Sequence, residues 1–359
     1  MSASNAVFVG MDLGTFKTSV ASSTGLRDVM QTAVGWPKDH VARTLLGRDL
    51  VFGKDIVDHR LALDVVRPFE KGALKYVDGK SAGLDDKQIQ KHADATRLVV
   101  EYAVKMVHRE TDKPVYGVIG VPSRANALNK KFILDAVDGI FESVAIVSEP
   151  FTIAYGLNRL TDALVIDIGA GTIDICPLFG TYPSEKDQVT LSMGGDLVDE
   201  EFEKKLKAKY PQAQVSRNMV REMKEKFGCV SDAGDPAVVQ LTVNGKPTSF
   251  DVTEPLKAAC MTIVKPIVNA VREMVGQFDP EFQGRMRQNI ILGGGGSQLK
   301  GLDRVIEASL NEYGGAKVTR VGDASYAGAV GALKLAMNMP ADGWTQLKTA
   351  KGKKAKAAA

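Results

Sequence analysis

Apolar residues along this chain fall into two rhythms. Short runs of nearly continuous apolar residues, Ala6–Met11, Val115–Val121, Val144–Val147, Ala163–Ile168 and Asn289–Leu292, have the length and composition of buried strands. Two of them have a partner that returns after a short polar turn, Thr18–Ser22 and Ile173–Phe179. The second rhythm is helical. Ile89, Ala93, Thr96, Val99, Val100, Ala103, Met106 and Val107 recur at i, i+3 and i+4 and predict one buried face of a helix over about 86–109. Further helices are predicted over 196–210, 215–227, 302–313 and 326–339. Thr253 is placed to cap a long helix reaching Phe278, with a kink at Pro266. Val238–Val243 and Pro247–Val252 flank Asn244-Gly245, a pair that readily supplies positive φ at a hairpin turn. Residues 36–68 are mixed and irregular, with Pro37, Gly47, Gly53 and Pro68, and read as a small inserted lobe.

Strands alternating with helices over 359 residues predict an α/β chain of two domains. Composition adds only limits. At 44% hydrophobic and 25% charged the chain is ordinary for a globular protein, and no run of about 18 apolar residues is present. Met1–Asn5 lacks the basic and apolar regions of a signal peptide. The net charge of +3 owes much to the lysine-rich end, Lys348–Lys356, so the body is nearly neutral and gives no case for nucleic-acid binding. Residues 348–359 form a Lys/Ala tail expected to be disordered. Cys176, Cys229 and Cys260 are far apart in sequence and read as reduced core thiols. His40, His59, His92 and His108 show no metal-ligand pairing.

The candidate chemistry lies in a repeat. Asp12-Leu13-Gly14-Thr15 and Asp167-Ile168-Gly169-Ala170-Gly171-Thr172 each end one strand and begin another, a domain's length apart. One such turn alone is an ordinary hairpin. Two, in matching settings, point to duplicated domains that share a phosphate ligand. Glycine lets backbone approach a phosphate, and successive N–H groups in such a turn form an anion-binding concavity. Thr15, Thr18 and Thr172 offer hydroxyls, Lys17 offers a charge for the terminal phosphates, and Asp12 and Asp167 stand where a Mg²⁺ bridging phosphates would be held. A third element, Gly293-Gly294-Gly295-Gly296-Ser297, follows a buried strand and leaves bare backbone for a flat ring, with a helix N-terminus next to favour an anion. Met223-Lys224-Glu225-Lys226-Phe227 on a helix reads in isolation as a solvated, salt-bridged face. Glu149-Pro150 opens a helix, where its dipole stabilises the carboxylate.

In this order the motifs resemble the actin superfamily, which also holds sugar kinases and heat-shock chaperone ATPases. The resemblance runs to about residue 338, with Val118–Ser123 and Tyr326–Ala332 similar to the segments connecting its two lobes. It implies an actin-like ATPase fold of two duplicated α/β domains with a nucleotide cleft between them. The implied division is a domain I core (1–35, 69–150, 325–347), an inserted subdomain (36–68), a domain II core (151–194, 259–324) and a second inserted subdomain (195–258). It also implies ATP and Mg²⁺ as cofactors. Asp12, Gly14, Thr15, Lys17, Thr18, Gly169, Ala170, Gly171, Thr172 and Gly195 would line the phosphates, with Asp12 and Asp167 on the metal. Lys224 and Glu225 would contact ribose or adenine, and Gly293, Gly294, Gly295 and Ser297 the adenosine. Glu149 would position the attacking water, assisted by Asp167 and Thr172.

Within the superfamily, Val34–Asp39, Val118–Ala125, Val147–Phe151 and Asp251–Pro255 resemble the MamK family of bacterial actins. Little chain follows the last predicted helix, which argues against a chaperone, and no carboxylate base for a sugar can be assigned. The lack of an amphipathic N-terminal helix argues against a cell-shape actin. The implied function is a cytoplasmic cytoskeletal filament of identical subunits. Its slow, polymerisation-stimulated ATP hydrolysis would drive turnover, and adaptor proteins would connect it to magnetosome chains without membrane insertion. A plasmid-segregating or cell-shape actin, or a small-molecule kinase of the same fold, are the alternatives.

Overall fold

In a computed structural model, residues 6–74, 83–109, 112–123, 125, 127–231 and 236–347 are described. The Lys/Ala tail and Arg124 lie outside them. Two units emerge, Met1–Asn158 with Ser325–Ala359, and Arg159–Ala324.

The first unit is built on β1 (Val7–Leu13), β2 (Lys17–Ser22) and β3 (Arg27–Gln31), an antiparallel meander that starts the chain. β1 is buried almost throughout because it is the middle strand of its sheet. Then comes the segment read from sequence as irregular. It contains β4 (Val34–Pro37), α1 (His40–Leu46), α2 (Lys54–Asp58) and β5 (Leu63–Val66), closed by the β4–β5 pairing. A small core of Ala33, Val51, Ile56 and Leu63 serves these short elements. Their brevity hides the periodicity that longer helices display. A two-residue hairpin, β6 (Phe69–Glu70) and β7 (Ala73–Leu74), follows. α3 (Asp86–Val107) starts at a capping box in which the Asp85 carboxylate accepts the Gln88 N–H and the Gln88 side chain accepts the Asp85 N–H. It buries Ala95, Thr96, Val99, Val100, Ala103, Val104 and Val107, while Ile89, Ala93 and Met106 of the predicted stripe are half-buried. β8 (Val115–Val121) pairs parallel with β1. α4 (Ala127–Ala136) leads to β9 (Ser143–Ser148), parallel with β8, and α5 (Glu149–Leu157) follows directly. The sheet order is β3-β2-β1-β8-β9.

The second unit repeats the plan. β10 (Ala163–Ile168), β11 (Ile173–Leu178) and β12 (Val189–Leu191) are an antiparallel meander. α6 (Gly195–Lys209) and α7 (Arg217–Phe227) precede the hairpin of β13 (Val238–Val243) and β14 (Lys246–Asp251). At its turn Asn244 and Gly245 have φ of 49° and 79°, the conformation that the Asn-Gly pair predicts. The long helix expected over 253–278 is instead α8 (Thr253–Cys260), a 3₁₀ turn at Met261–Ile263, and α9 (Val264–Val275). The break lies upstream of Pro266 because a proline ring obstructs the carbonyl four residues earlier, here that of Thr262. Thr253 is no cap either: it is the first helical residue, and its hydroxyl accepts the Ala237 N–H at 2.8 Å. α10 (Pro280–Arg287), β15 (Ile290–Gly293), α11 (Leu302–Ser309) and β16 (Val318–Arg320) complete the unit. α11 ends four residues short of expectation, the rest being a 3₁₀ turn at Asn311–Tyr313. The sheet order is β12-β11-β10-β15-β16, with β15 parallel to both neighbours. It is the first unit's order, strand for strand.

The last helix, α12 (Ala327–Asn338), belongs to the first unit and packs on β1 and α5. α5 therefore sits with the first unit, although the sequence reading opened the second domain at residue 151. Small residues make this packing close: a Cβ at Gly331 would overlap the Thr152 carbonyl.

Candidate nucleotide site

Each unit carries an aspartate at the C-terminal end of the central strand of its sheet, followed by a glycine turn. In open α/β sheets that is the end at which ligands bind.

In the first unit Asp12 pairs with Ser19 on one side and Gly120 on the other. A Cβ at Gly328 of α12 would come within 2.5 Å of an Asp12 oxygen, so the bare backbone there leaves room for the carboxylate. Burial pushes the Asp12 carboxyl up to about 6, and a side-chain hydrogen bond with Glu149 pulls the other way. Glu149 is the first residue of α5 and is buried, with Pro150 in the first helical turn. A Cβ at Gly120 would lie 3.5 Å from Glu149 Cγ, an ordinary packing distance, so β8 and the glutamate side chain are close neighbours. The turn itself is braced. The Thr32 hydroxyl donates to the Gly14 carbonyl at 2.8 Å, which leaves the Thr18 hydroxyl to donate to Thr32, also at 2.8 Å. Thr18 is fully buried. It supports the turn from beneath and does not offer its proton to a ligand, a correction to the sequence reading that could not see Thr32. Thr15 Oγ1 accepts the Gly72 N–H at 3.2 Å, and Lys17 is exposed at the start of β2.

In the second unit Asp167 is buried and pairs in register with Asp174 and Gly293. The Gly169 N–H donates to the Thr172 carbonyl at 2.9 Å and closes the turn, with Thr172 buried. The turn's carbonyls are satisfied by the start of α6: the Gly195 N–H donates to Gly169 at 3.0 Å and the Asp196 N–H to Ala170 at 2.8 Å. Among the described residues no acceptor takes the N–H groups of Ala170 and Gly171. Such groups suit an anion.

The glycine run is only partly as expected. Gly293 ends β15. Gly294, at φ 71°, lies so close to Asp167 that any Cβ would strike its carboxylate. Gly296 is held against the Ile168 side chain, and Ser297, fully buried, donates to the Gly294 carbonyl at 2.7 Å. Gly295 alone borders open space. A 3₁₀ turn, Gly295–Gln298, follows, and α11 begins only at Leu302, so no helix N-terminus adjoins the run.

Lys224 is not on a solvated face. Its ammonium donates to the Gly195 carbonyl at 2.7 Å and pairs with Asp199 at 2.8 Å, while Glu225, the next residue, is exposed. Within the second unit Asp167, the 169–172 turn, Gly195, Lys224 and the glycine run thus form one connected group. Within the first, Asp12, the 14–18 turn and Glu149 form another.

Asp196, Asp199 and Arg221 escaped the sequence reading. Their signal was present: carboxylates at i and i+3 in the first turns of one helix, and cations at i and i+3 on the next. Each unit's strand-end aspartate, Asp12 in the first and Asp167 in the second, is a hard oxygen donor of the kind Mg²⁺ takes.

The family model for MreB/Mbl protein matches residues 81–341. Along 345 residues the chain is 36% identical to the actin-like protein MamK of Paramagnetospirillum magneticum, covering 96% of both chains. It is also 36% identical to MamK of Magnetospirillum gryphiswaldense, covering 96% of this chain and 93% of that one. The chain belongs to the MamK family of bacterial actins. Its fold is actin-like. A MamK double helical filament superposes with a TM-score of 0.87 at 36% identity, covering 94% of this chain and all of that one. A non-polymerising MamK mutant bound to AMPPNP superposes with a TM-score of 0.70 at 36% identity, covering 93% and 99%.

Proposed function

We propose that this chain is an ATP-dependent polymerising actin whose filaments serve as a cytoplasmic cytoskeleton that positions magnetosome chains through adaptor proteins. The observation that carries the reading is the match along nearly the whole chain to MamK proteins seen as filaments. It is joined to two equivalent strand-end aspartates on sheets of the same order. Exposed apolar side chains on the α1–β5 segment, Val41, Leu45 and Leu61, are suited to contact a second copy. Subunits that meet head to tail through unlike faces extend without closing and form helical filaments.

ATP hydrolysis needs positioning and charge neutralisation more than covalent help from the protein. The N–H groups of Ala170 and Gly171 and the Lys17 ammonium would bind phosphate oxygens. The Thr15 hydroxyl would donate to the phosphates, and Gly295 and Lys224 would receive the nucleoside. Mg²⁺, held by Asp12 and Asp167 with the phosphates, would supply charge neutralisation at the transferring group. Glu149 would accept a hydrogen bond from the attacking water and fix its direction. Its carboxylate is suited to this because it is buried at the start of α5, with a side-chain hydrogen bond to Asp12.

Glu149→Ala should still assemble with Mg-ATP but release phosphate at least about a hundredfold more slowly than the natural protein, as loss of a water-positioning group does. Phosphate release and light scattering followed together measure both. Undiminished phosphate release from assembled Glu149→Ala would remove Glu149 from the mechanism.

A further inference from the structure

We infer that Asp199 is a positioning residue for the nucleotide, one that holds the Lys224 ammonium beside the Gly169–Thr172 turn. The inference rests on the nucleotide-binding reading above. Asp199 is 1% exposed, in α6, and buried carboxylates are retained only when well partnered. It has two cationic partners, Lys224 Nζ at 2.8 Å and Arg221 Nε at 3.2 Å, one helical turn apart on α7. Arg221 reaches on to Asp196 at 2.6 Å. Even so, burial holds the Asp199 carboxyl above its ordinary range, with Lys224 and then Arg221 opposing.

The contacts run onward in one direction. Lys224 donates to the Gly195 carbonyl, and the N–H groups of Gly195 and Asp196 donate to the carbonyls of Gly169 and Ala170. A Cβ at Gly195 would lie 3.0 Å from Lys224 Nζ and 3.7 Å from Ala170 Cα, so the ammonium and the turn are immediate neighbours. An ammonium has three N–H groups. Gly195 takes one and the Asp199 ion pair holds the ammonium on another side, which leaves donor capacity for an acceptor on the nucleoside half of the ligand.

Apolar contacts already join these helices through Val198, Phe202, Val220 and Met223, so the α6–α7 contact does not depend on the charges alone. Without the carboxylate, Lys224 and Arg221 would repel one another and the lysine would turn to solvent.

The test is a double-mutant cycle read by Mg-ATP affinity, with Mg-tripolyphosphate as the probe that lacks a nucleoside. Asp199→Asn and Lys224→Met should each weaken Mg-ATP about tenfold, and the double variant also about tenfold, because they remove the same interaction. Tripolyphosphate affinity of Asp199→Asn should stay within about twofold of the natural protein. A merely structural Asp199 would give losses that multiply in the double variant, or weaken tripolyphosphate equally, and either result overturns the inference. Should Asp199→Asn fail to fold, Lys224→Met alone decides: ATP affinity equal to that of the natural protein overturns it. Failure of the natural protein to bind Mg-ATP would instead remove the nucleotide reading itself.

Discussion

Burial raises the Asp12 carboxyl from an ordinary 3.8 to about 6, against the opposing pull of a side-chain hydrogen bond with Glu149. A folded-state pKa above the unfolded one means stability that is fully present below about pH 4 and is lost as pH rises through 6. Asp12→Asn should therefore raise the melting temperature of the nucleotide-free protein at pH 7.5, by a stability gain of about 1–2 kcal/mol for this half-buried group. The gain should vanish near pH 4, while Mg-ATP hydrolysis is lost. A lower melting temperature at pH 7.5 would contradict this account of the residue. The strand-end position of Asp12 and Asp167 was legible in the sequence because an apolar run closing on an aspartate and a glycine turn is a local pattern. Thr18 was misjudged because its hydroxyl is governed by Thr32, a neighbour supplied only by the β2–β3 meander. Asp199 was missed because its meaning lies in a second helix, where Arg221 and Lys224 meet it.

At the scale of elements, the strands and long helices followed their periodicity, since β1, β8, β10 and α3 bury enough apolar surface to impose it. What the sequence concealed was breakage and close approach. The α8–α9 break reflects a clash with the Thr262 carbonyl, displaced from the proline that causes it. The contact of α5 with α12 depends on the absence of side chains at Gly156 and Gly331, whose ideal Cβ positions meet the partner helix. Gly331→Ala should destabilise the protein by about 2 kcal/mol or more, because overlap with the Thr152 carbonyl outweighs the helix propensity gained. Gly284→Ala in α10, where a Cβ meets nothing within 4 Å, should stabilise it by about 0.5–1 kcal/mol. Urea unfolding of the two variants measures both, and equal shifts would deny the close approach its role.

The whole molecule is two units with one strand order. That duplication could be read from the two aspartate turns, which lie a domain's length apart. The allotment of α5 could not, since a helix that directly follows β9 shows nothing in sequence of the α12 face it will pack on. The connectivity of the short α1–β5 segment was equally hidden, although its Leu45 and Leu61 are exposed apolar side chains. Assembly is the central claim. Sedimentation of the purified chain with Mg-ATP, against the same protein without nucleotide, tests it most directly, with the pellet viewed by negative-stain microscopy. Long filaments should appear in the pellet with Mg-ATP, and the protein should stay in the supernatant without it. A chain that binds Mg-ATP yet stays small at every concentration would contradict the filament reading and turn attention to a small-molecule kinase on the same fold.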